Sequence, residues 1–134
     1  MNKVLKSTFL LITISTLGFL TSCKEDPELP DNLIQFESDQ LGLNSSESEL
    51  TITISLSREV TSVASLNINM LATDLVYDTD FTTEPAAVSN SVAIPVSVGV
   101  TSVTFTVKKV AGALFDGDEK IEFTIESAPE SLVL

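Results

Sequence analysis

The chain has 134 residues, with 7 basic and 19 acidic side chains, one cysteine and no histidine. A single cysteine cannot form an internal disulfide, and the lack of histidine removes the commonest general base and metal ligand, which argues against zinc, copper and haem sites and against Ser-His catalysis. The net charge of −12 repels phosphate groups, so we expect no nucleic acid partner. Because nucleophilic catalysis lacks a histidine partner and the chain has no Gly-x-Ser-x-Gly motif, we expect a non-enzymatic protein.

The first 22 residues have the layout of a secretion signal. Met1–Lys6 carries two lysines and no acid, and Ser7–Leu20 is an apolar run of about 14 residues. A bilayer-spanning helix needs roughly 20 apolar residues, so this run is too short to serve as a stable membrane span. The pattern predicts a signal-peptide helix over residues 1–22 that is removed from the mature protein.

The end of that segment is more specific. Leu20-Thr21-Ser22-Cys23 resembles the bacterial lipobox, in which an apolar residue, a spacer and a small residue precede a cysteine. The resemblance implies cleavage before Cys23, a covalent lipid on its thiol and usually a further acyl chain on the new amine. Two or three chains give stable membrane anchoring, where a single chain would be marginal. The alternative is an ordinary secreted protein with a chance cysteine.

The residues after the cysteine suggest which membrane surface the protein occupies. Lys24-Glu25-Asp26 resembles the surface-export signal of lipoproteins in one large phylum of Gram-negative bacteria. The resemblance implies a protein on the outer membrane that faces outward, and the alternative is a generic polar tether. We assign residues 23–32 to a lipidated tether and residues 33–134 to one domain.

Apolar and polar residues alternate with a period of two through most of this domain, and no stretch has a helical period. Such alternation is typical of half-buried β-strands, and its repeated spacing favours an antiparallel sandwich. Pro95 lacks an amide hydrogen, so its segment should be an edge strand or contain a bulge. The alternating segments are Leu33–Phe36, Leu41–Asn44, Leu50–Ser57, Ala64–Met70, Val92–Val98, Val103–Lys108 and Ile121–Glu126.

Several of these segments together resemble the Calx-beta domain, an immunoglobulin-like β-sandwich. The resemblance covers roughly residues 34–127, and its carriers are Ile34–Ser38, Leu50–Ser57, Tyr77–Phe81, Val103–Val107 and Phe115–Phe123. It implies an all-β, immunoglobulin-like antiparallel sandwich. The family also has calcium-binding members, whose carboxylates gather at one end of the sandwich.

The resemblance places possible calcium ligands at Asp80, Asp116 and Glu119. Calcium requires six to eight oxygen ligands. The family's early glutamate falls on Ser45, and its paired aspartates fall on Ala111 and Gly112. We therefore expect at most weak calcium binding, and the alternative is that these acids cap turns and keep the loops soluble.

These observations predict a surface lipoprotein whose sandwich serves adhesion, spacing or protein contact. The alternative is an accessory glycan-binding lipoprotein of a polysaccharide-uptake system. Sugar sites usually stack on exposed aromatic rings, and the chain has no tryptophan and one tyrosine, Tyr77. The phenylalanines of the domain mostly fall at positions that should face the core.

The last residues, Ser131–Leu134, could begin a closing strand but are too few to complete one. The expected result is an unpaired sheet edge, which exposes backbone donors and acceptors. We expect a truncated reading frame to be the cause. A sandwich that closes with a short strand and a strand supplied by another chain are the alternatives.

Overall fold

The computed structural model describes residues 31–44, 46–128 and 132–133. Within these ranges the chain forms eight strands and no helix. The predicted signal-peptide helix, Cys23 and the export motif Lys24–Asp26 lie outside the described residues. The strands are β1 (Asn32–Phe36), β2 (Glu49–Leu56), β3 (Ala64–Thr73), β4 (Phe81–Glu84), β5 (Ser91–Val96), β6 (Ser102–Lys109), β7 (Lys120–Ser127) and β8 (Leu132–Val133).

The strands form two sheets that enclose one core. One sheet has the order β4-β6-β2-β1-β8, and the other has the order β5-β3-β7. All pairs are antiparallel except β1 with β8. The predicted all-β sandwich is therefore confirmed. Across the described residues we find no helix long and apolar enough to cross a membrane.

The core follows directly from the alternation in the sequence. In β2, Ile52, Ile54 and Leu56 are buried, and the residues between them are more exposed. The same alternation places buried side chains on β3, β5 and β6. Because one face of each strand is apolar, the two sheets bury these faces against each other. The largest fully buried side chains are Phe81, Phe105, Ile54, Leu66, Ile68, Ile94, Val92 and Val96.

Two local expectations need correction. Leu41–Asn44 forms no strand, because Glu47 donates its backbone N–H to the Asn44 carbonyl (2.9 Å) and accepts the Asn44 N–H on its carboxylate (2.9 Å), which closes a turn. The alternation of apolar and polar residues also did not predict β4, because its four residues are too few to show a repeat of two. The prediction for Pro95 is confirmed, since β5 is an edge strand.

Asn32 fixes the first residue of β1. Its side chain is only 2% exposed. Its Oδ1 accepts hydrogen bonds from the Arg58 N–H (3.0 Å) and the Ser57 hydroxyl (3.2 Å), and its Nδ2 donates to the Arg58 carbonyl (3.0 Å). A buried amide needs such partners. β1 is thereby clamped to the loop that follows β2.

Candidate functional site

A shallow, open concave surface lies between β1 of one sheet and β7 of the other. We call it the β1–β7 groove. It is an open groove of about 640 Å3. The residues that line it are Gln35, Phe36, Glu37, Asp39, Phe123, Thr124 and Ile125.

On both sides of the groove, part of the strand edge has no pairing partner among the described residues. β8 pairs only with Asn32 and Leu33 of β1, so the second half of β1 lacks a described neighbour on that side. β7 pairs with β3 along one edge. Within the described part of the chain no strand pairs with its other edge. Every second residue of such an edge directs its N–H and C=O outward.

The floor of the groove is apolar and incompletely covered. Ile121, Phe123 and Ile125 face the core from β7 but are only partly buried. The ring of Phe123 lies edge-on to the ring of Phe105, with centroids 4.9 Å apart. By contrast, Ile68 on the neighbouring strand β3 is completely buried. The apolar side chains of β7 are therefore less completely buried than those at the centre of the core.

The rim of the groove is acidic. Glu37 and Asp39 line it, and Glu122 and Glu126 are exposed on the outer face of β7. Lys120 forms an ion pair with Glu122, with Nζ 2.8 Å from Oε1. The two carboxylates that line the groove, Glu37 and Asp39, favour cationic ligands.

The structure places each of the three predicted calcium ligands in a turn. Oδ2 of Asp80 accepts a hydrogen bond from the Val76 N–H at 2.7 Å. The two carboxylate oxygens of Glu119 accept the N–H groups of Asp116 (2.8 Å) and Gly117 (2.9 Å). The carboxylates of Asp80 and Glu119 therefore cap turns, which agrees with the alternative to calcium binding.

The bonds to Glu119 also change its acidity. The backbone N–H groups of Asp116 and Gly117 stabilise the carboxylate, so the pKa of Glu119 is lower than its ordinary value. Gly117 has a φ of +107°, which glycine adopts readily, and this allows the tight turn before β7.

The turns that carry these acids are connected by backbone contacts but do not assemble a ligand shell. The Val110 N–H donates to the Asp80 carbonyl at 2.9 Å, which joins the β3–β4 loop to the loop after β6. In the ranges that the structure describes, no three acidic, histidine or cysteine side chains form a metal-binding group. Calcium binding by Asp80, Asp116 and Glu119 stays a prediction, and Ser45 lies outside the described residues.

The aromatic side chains are used for packing. The Tyr77 hydroxyl accepts the Ala87 N–H at 2.9 Å and lies 3.3 Å from the Thr83 hydroxyl, and the Tyr77 ring packs edge-on against Phe81. Lys109 lies over the partly buried ring of Phe115, with Nζ 4.5 Å from the centroid. These contacts give no specific support to the glycan-binding alternative.

Comparisons with protein-family models, with curated proteins and with solved structures find no match to this chain. The lipobox at Cys23, the export motif at Lys24–Asp26 and the Calx-beta resemblance accordingly stay predictions from the sequence. What the structure itself contributes is the sandwich and the groove at its β1–β7 side.

Proposed function

We propose that the mature protein is a non-catalytic contact module, held on the outer membrane by lipid on Cys23 and facing outward. The observation that carries the proposal is the position of the fold relative to the cysteine. The first strand begins at Asn32, nine residues after Cys23. Even a fully extended connection of that length spans only about 30 Å, so the sandwich would stay close to the bilayer.

The charge of the protein supports contact with a partner over contact with the membrane. Without residues 1–22, the chain has 5 basic and 19 acidic residues, a net charge of −14. Such a surface is repelled by anionic lipid head groups. The lipid would therefore tether the module while its acidic surface keeps it solvated and available to a cationic partner.

Mass spectrometry of the protein purified from bacterial membranes tests the anchor. The expected N-terminal peptide starts at Cys23 and carries the mass of a diacylglyceryl group, usually with an added acyl chain. The matched control is Cys23→Ser, which should be neither lipidated nor held in the membrane fraction. An unmodified Cys23 in the mature protein, or a mature N-terminus elsewhere, contradicts the proposal.

Protease treatment of intact cells tests the outward orientation. We expect the module of the parent protein to be digested without cell lysis. Replacement of Lys24, Glu25 and Asp26 by alanine should protect it, while Cys23 remains lipidated. Equal protection of parent and variant contradicts the surface location and leaves the lipid anchor intact.

Calorimetry with Ca²⁺ tests the metal prediction separately. A weak site at Asp80, Asp116 and Glu119 should give measurable heat and a raised melting temperature at millimolar Ca²⁺, and Asp80→Asn should abolish both. No heat and no shift in melting temperature would end the calcium hypothesis.

A further inference from the structure

We infer that the sandwich stands on the lipid surface with one particular end, where Val63 and Val98 contact the head groups. We call it the anchor-side end, and it consists of Asn32 and the loops 57–63 and 97–101. The opposite end points away from the bilayer. This orientation rests on the proposed lipid at Cys23, and it adds which surface of the module meets the membrane.

Hydrogen bonds join the parts of the anchor-side end into one surface. The Val60 N–H donates to the Val100 carbonyl (3.0 Å), and the Gly99 N–H donates to the Val60 carbonyl (2.8 Å), so the two loops lie side by side. The Asn32 side chain binds the backbone of the loop 57–63. The connection from the lipidated cysteine therefore enters the fold at the same surface that carries the two loops.

Two valines of this surface are open to solvent. Val63, directly before β3, is 81% exposed, and Val98, shortly after β5, is 56% exposed. Apart from Arg58 and Glu59, whose charges cancel, the two loops contain no charged residue. Contact with lipid would remove apolar side-chain surface from water there without burying a net charge.

Charge separates the two ends of the sandwich more clearly than apolar exposure does. The opposite end consists of residues 37–44 and 46–48 and the loops 74–80 and 110–119, which together contain nine acidic residues and no basic one. Leu114 at that end is 91% exposed, but its loop also carries three of these acids. Anionic head groups repel the opposite end and leave the neutral anchor-side end free to approach.

The short connection also opposes the inverted orientation. Nine residues lead from Cys23 to Asn32, and they span at most about 30 Å. β2 has eight residues and runs between the two ends, so the ends are about 26 Å apart. With the opposite end on the bilayer, the connection would run almost fully extended along the sandwich, which costs conformational entropy. β1 and β8 both start at the anchor-side end, so β8 directs the following chain away from it.

The test uses the full chain, purified from bacterial membranes and reconstituted into vesicles of phosphatidylcholine and phosphatidylglycerol. Lipid on Cys23 occupies the only native thiol, so one introduced cysteine is the only site for a thiol-reactive fluorophore. Val63→Cys places the fluorophore at the anchor-side end, and Leu114→Cys places it at the opposite end. Lipids with a nitroxide on the head group quench a nearby fluorophore. We expect about threefold stronger quenching at position 63, since the two ends are about 26 Å apart.

Two aspartate substitutions test the contact made by the valines. With the fluorophore on Val63→Cys, Val98→Asp should lower the quenching about twofold, because it places a negative charge against the head groups. The matched control is Val88→Asp, which makes the same change in charge at an exposed valine of the β4–β5 loop and should leave the quenching nearly unchanged. Both valines are exposed, so both variants should keep the melting temperature of the parent.

Neutralising acids at the opposite end tests the role of charge. Glu37→Gln, Asp74→Asn and Asp118→Asn, combined in one variant, remove one exposed acid from each part of that end. With the fluorophore on Leu114→Cys, the quenching at low salt should rise about twofold over the parent, and the difference should shrink as salt screens the remaining charges.

Two results overturn the orientation while the anchor stands. One is equal or stronger quenching at position 114 than at position 63, which would show that the sandwich has no preferred end on the bilayer or stands inverted. The other is the same effect of Val98→Asp and Val88→Asp, which would show that the valine makes no contact. A parent protein that takes up the fluorophore has a free Cys23 thiol, and this contradicts the anchor and the orientation together.

Discussion

On the β4–β5 side of the sandwich, each outer strand contains a proline or is directly followed by one. On the β1–β7 side, neither outer strand, β7 or β8, contains a proline or is directly followed by one. Pro85 directly follows β4, and Pro95 lies within β5. Proline has no N–H to offer to a further strand, so natural sheets use it to end pairing at an edge. β7 instead presents eight residues without proline above a partly exposed apolar floor. Within the described residues, the two sides therefore differ in whether proline blocks further pairing at the outer strands.

Two phenylalanine truncations give the largest expected difference between the sides. Phe81, on the β4 side, is completely buried, and Phe123, on β7, is partly buried. Phe81→Ala should lower the free energy of unfolding by about 3–5 kcal/mol, and Phe123→Ala by about half as much, because less contact is lost and the open site can relax. Urea denaturation of the two variants measures this. Equal losses would show that the β7 side is packed as tightly as the β4 side.

The next effect concerns the hydrogen bonds that close the β4 side. Tyr77→Phe removes the hydroxyl that accepts the Ala87 N–H and contacts Thr83. We expect the free energy of unfolding to fall by about 1–2 kcal/mol. Thr83→Val is the matched control, because it removes one contact of the Tyr77 hydroxyl and keeps the bond from Ala87, so its loss should be smaller. If the free energy of unfolding of Tyr77→Phe is unchanged, the hydrogen bonds of the Tyr77 hydroxyl do not stabilise the β4 side.

A smaller effect should appear in the turn that leads into β7. The pKa of Glu119 is lower in the folded protein than in the unfolded chain, so its ionised form stabilises the fold above the unfolded pKa, about 4.5. This contribution is lost as the pH falls through the lower, folded pKa. Glu119→Gln should therefore be less stable than the parent at neutral pH, and the two melting temperatures should converge in acid.

The control variant for that experiment is Glu122→Gln on β7, which makes the same change in net charge. A constant difference between Glu119→Gln and the parent at all pH values would show that the turn is held by backbone geometry alone.

The smallest effect is expected at the exposed ion pair of Lys108 with Glu84 on the β4 side. The Lys108 ammonium lowers the pKa of Glu84, chiefly through a direct hydrogen bond. Glu84→Gln should slightly lower the melting temperature at low salt, and the difference should vanish at high salt because both groups are exposed to solvent. A difference that persists in 1 M salt would point to a packing role for this side chain.

The sequence predicted β1 and the strands that alternate over six or more residues, and it failed at Leu41–Asn44 and at β4. β2, β3, β5, β6 and β7 lie on segments whose apolar residues recur at every second position. Leu41 and Leu43 show the same spacing, but the turn closed by Glu47 takes the backbone hydrogen bonds that a strand would need. Short alternation therefore carries less information than local turn chemistry.

The sequence also indicated an unpaired edge, but it could not locate the groove. Phe36 and Phe123 are separated by more than eighty residues, and only the packing of two sheets brings β1 and β7 to one side. For Asp80 and Glu119 the sequence left two roles open, because an acid that caps a turn and an acid that binds calcium occupy similar loops. Hydrogen-bond geometry distinguishes the two, and residue type does not.

The buried amide of Asn32 has a mechanical consequence. A protein tethered through its N-terminal segment would receive any pull from the cell surface at the first residue of β1. There the load reaches a side chain that is bonded on both its oxygen and its nitrogen to the Ser57–Arg58 loop, in addition to the backbone pairing of the strand. Asn32 would share that force between two distant parts of the chain, so the first strand is not simply peeled from its sheet.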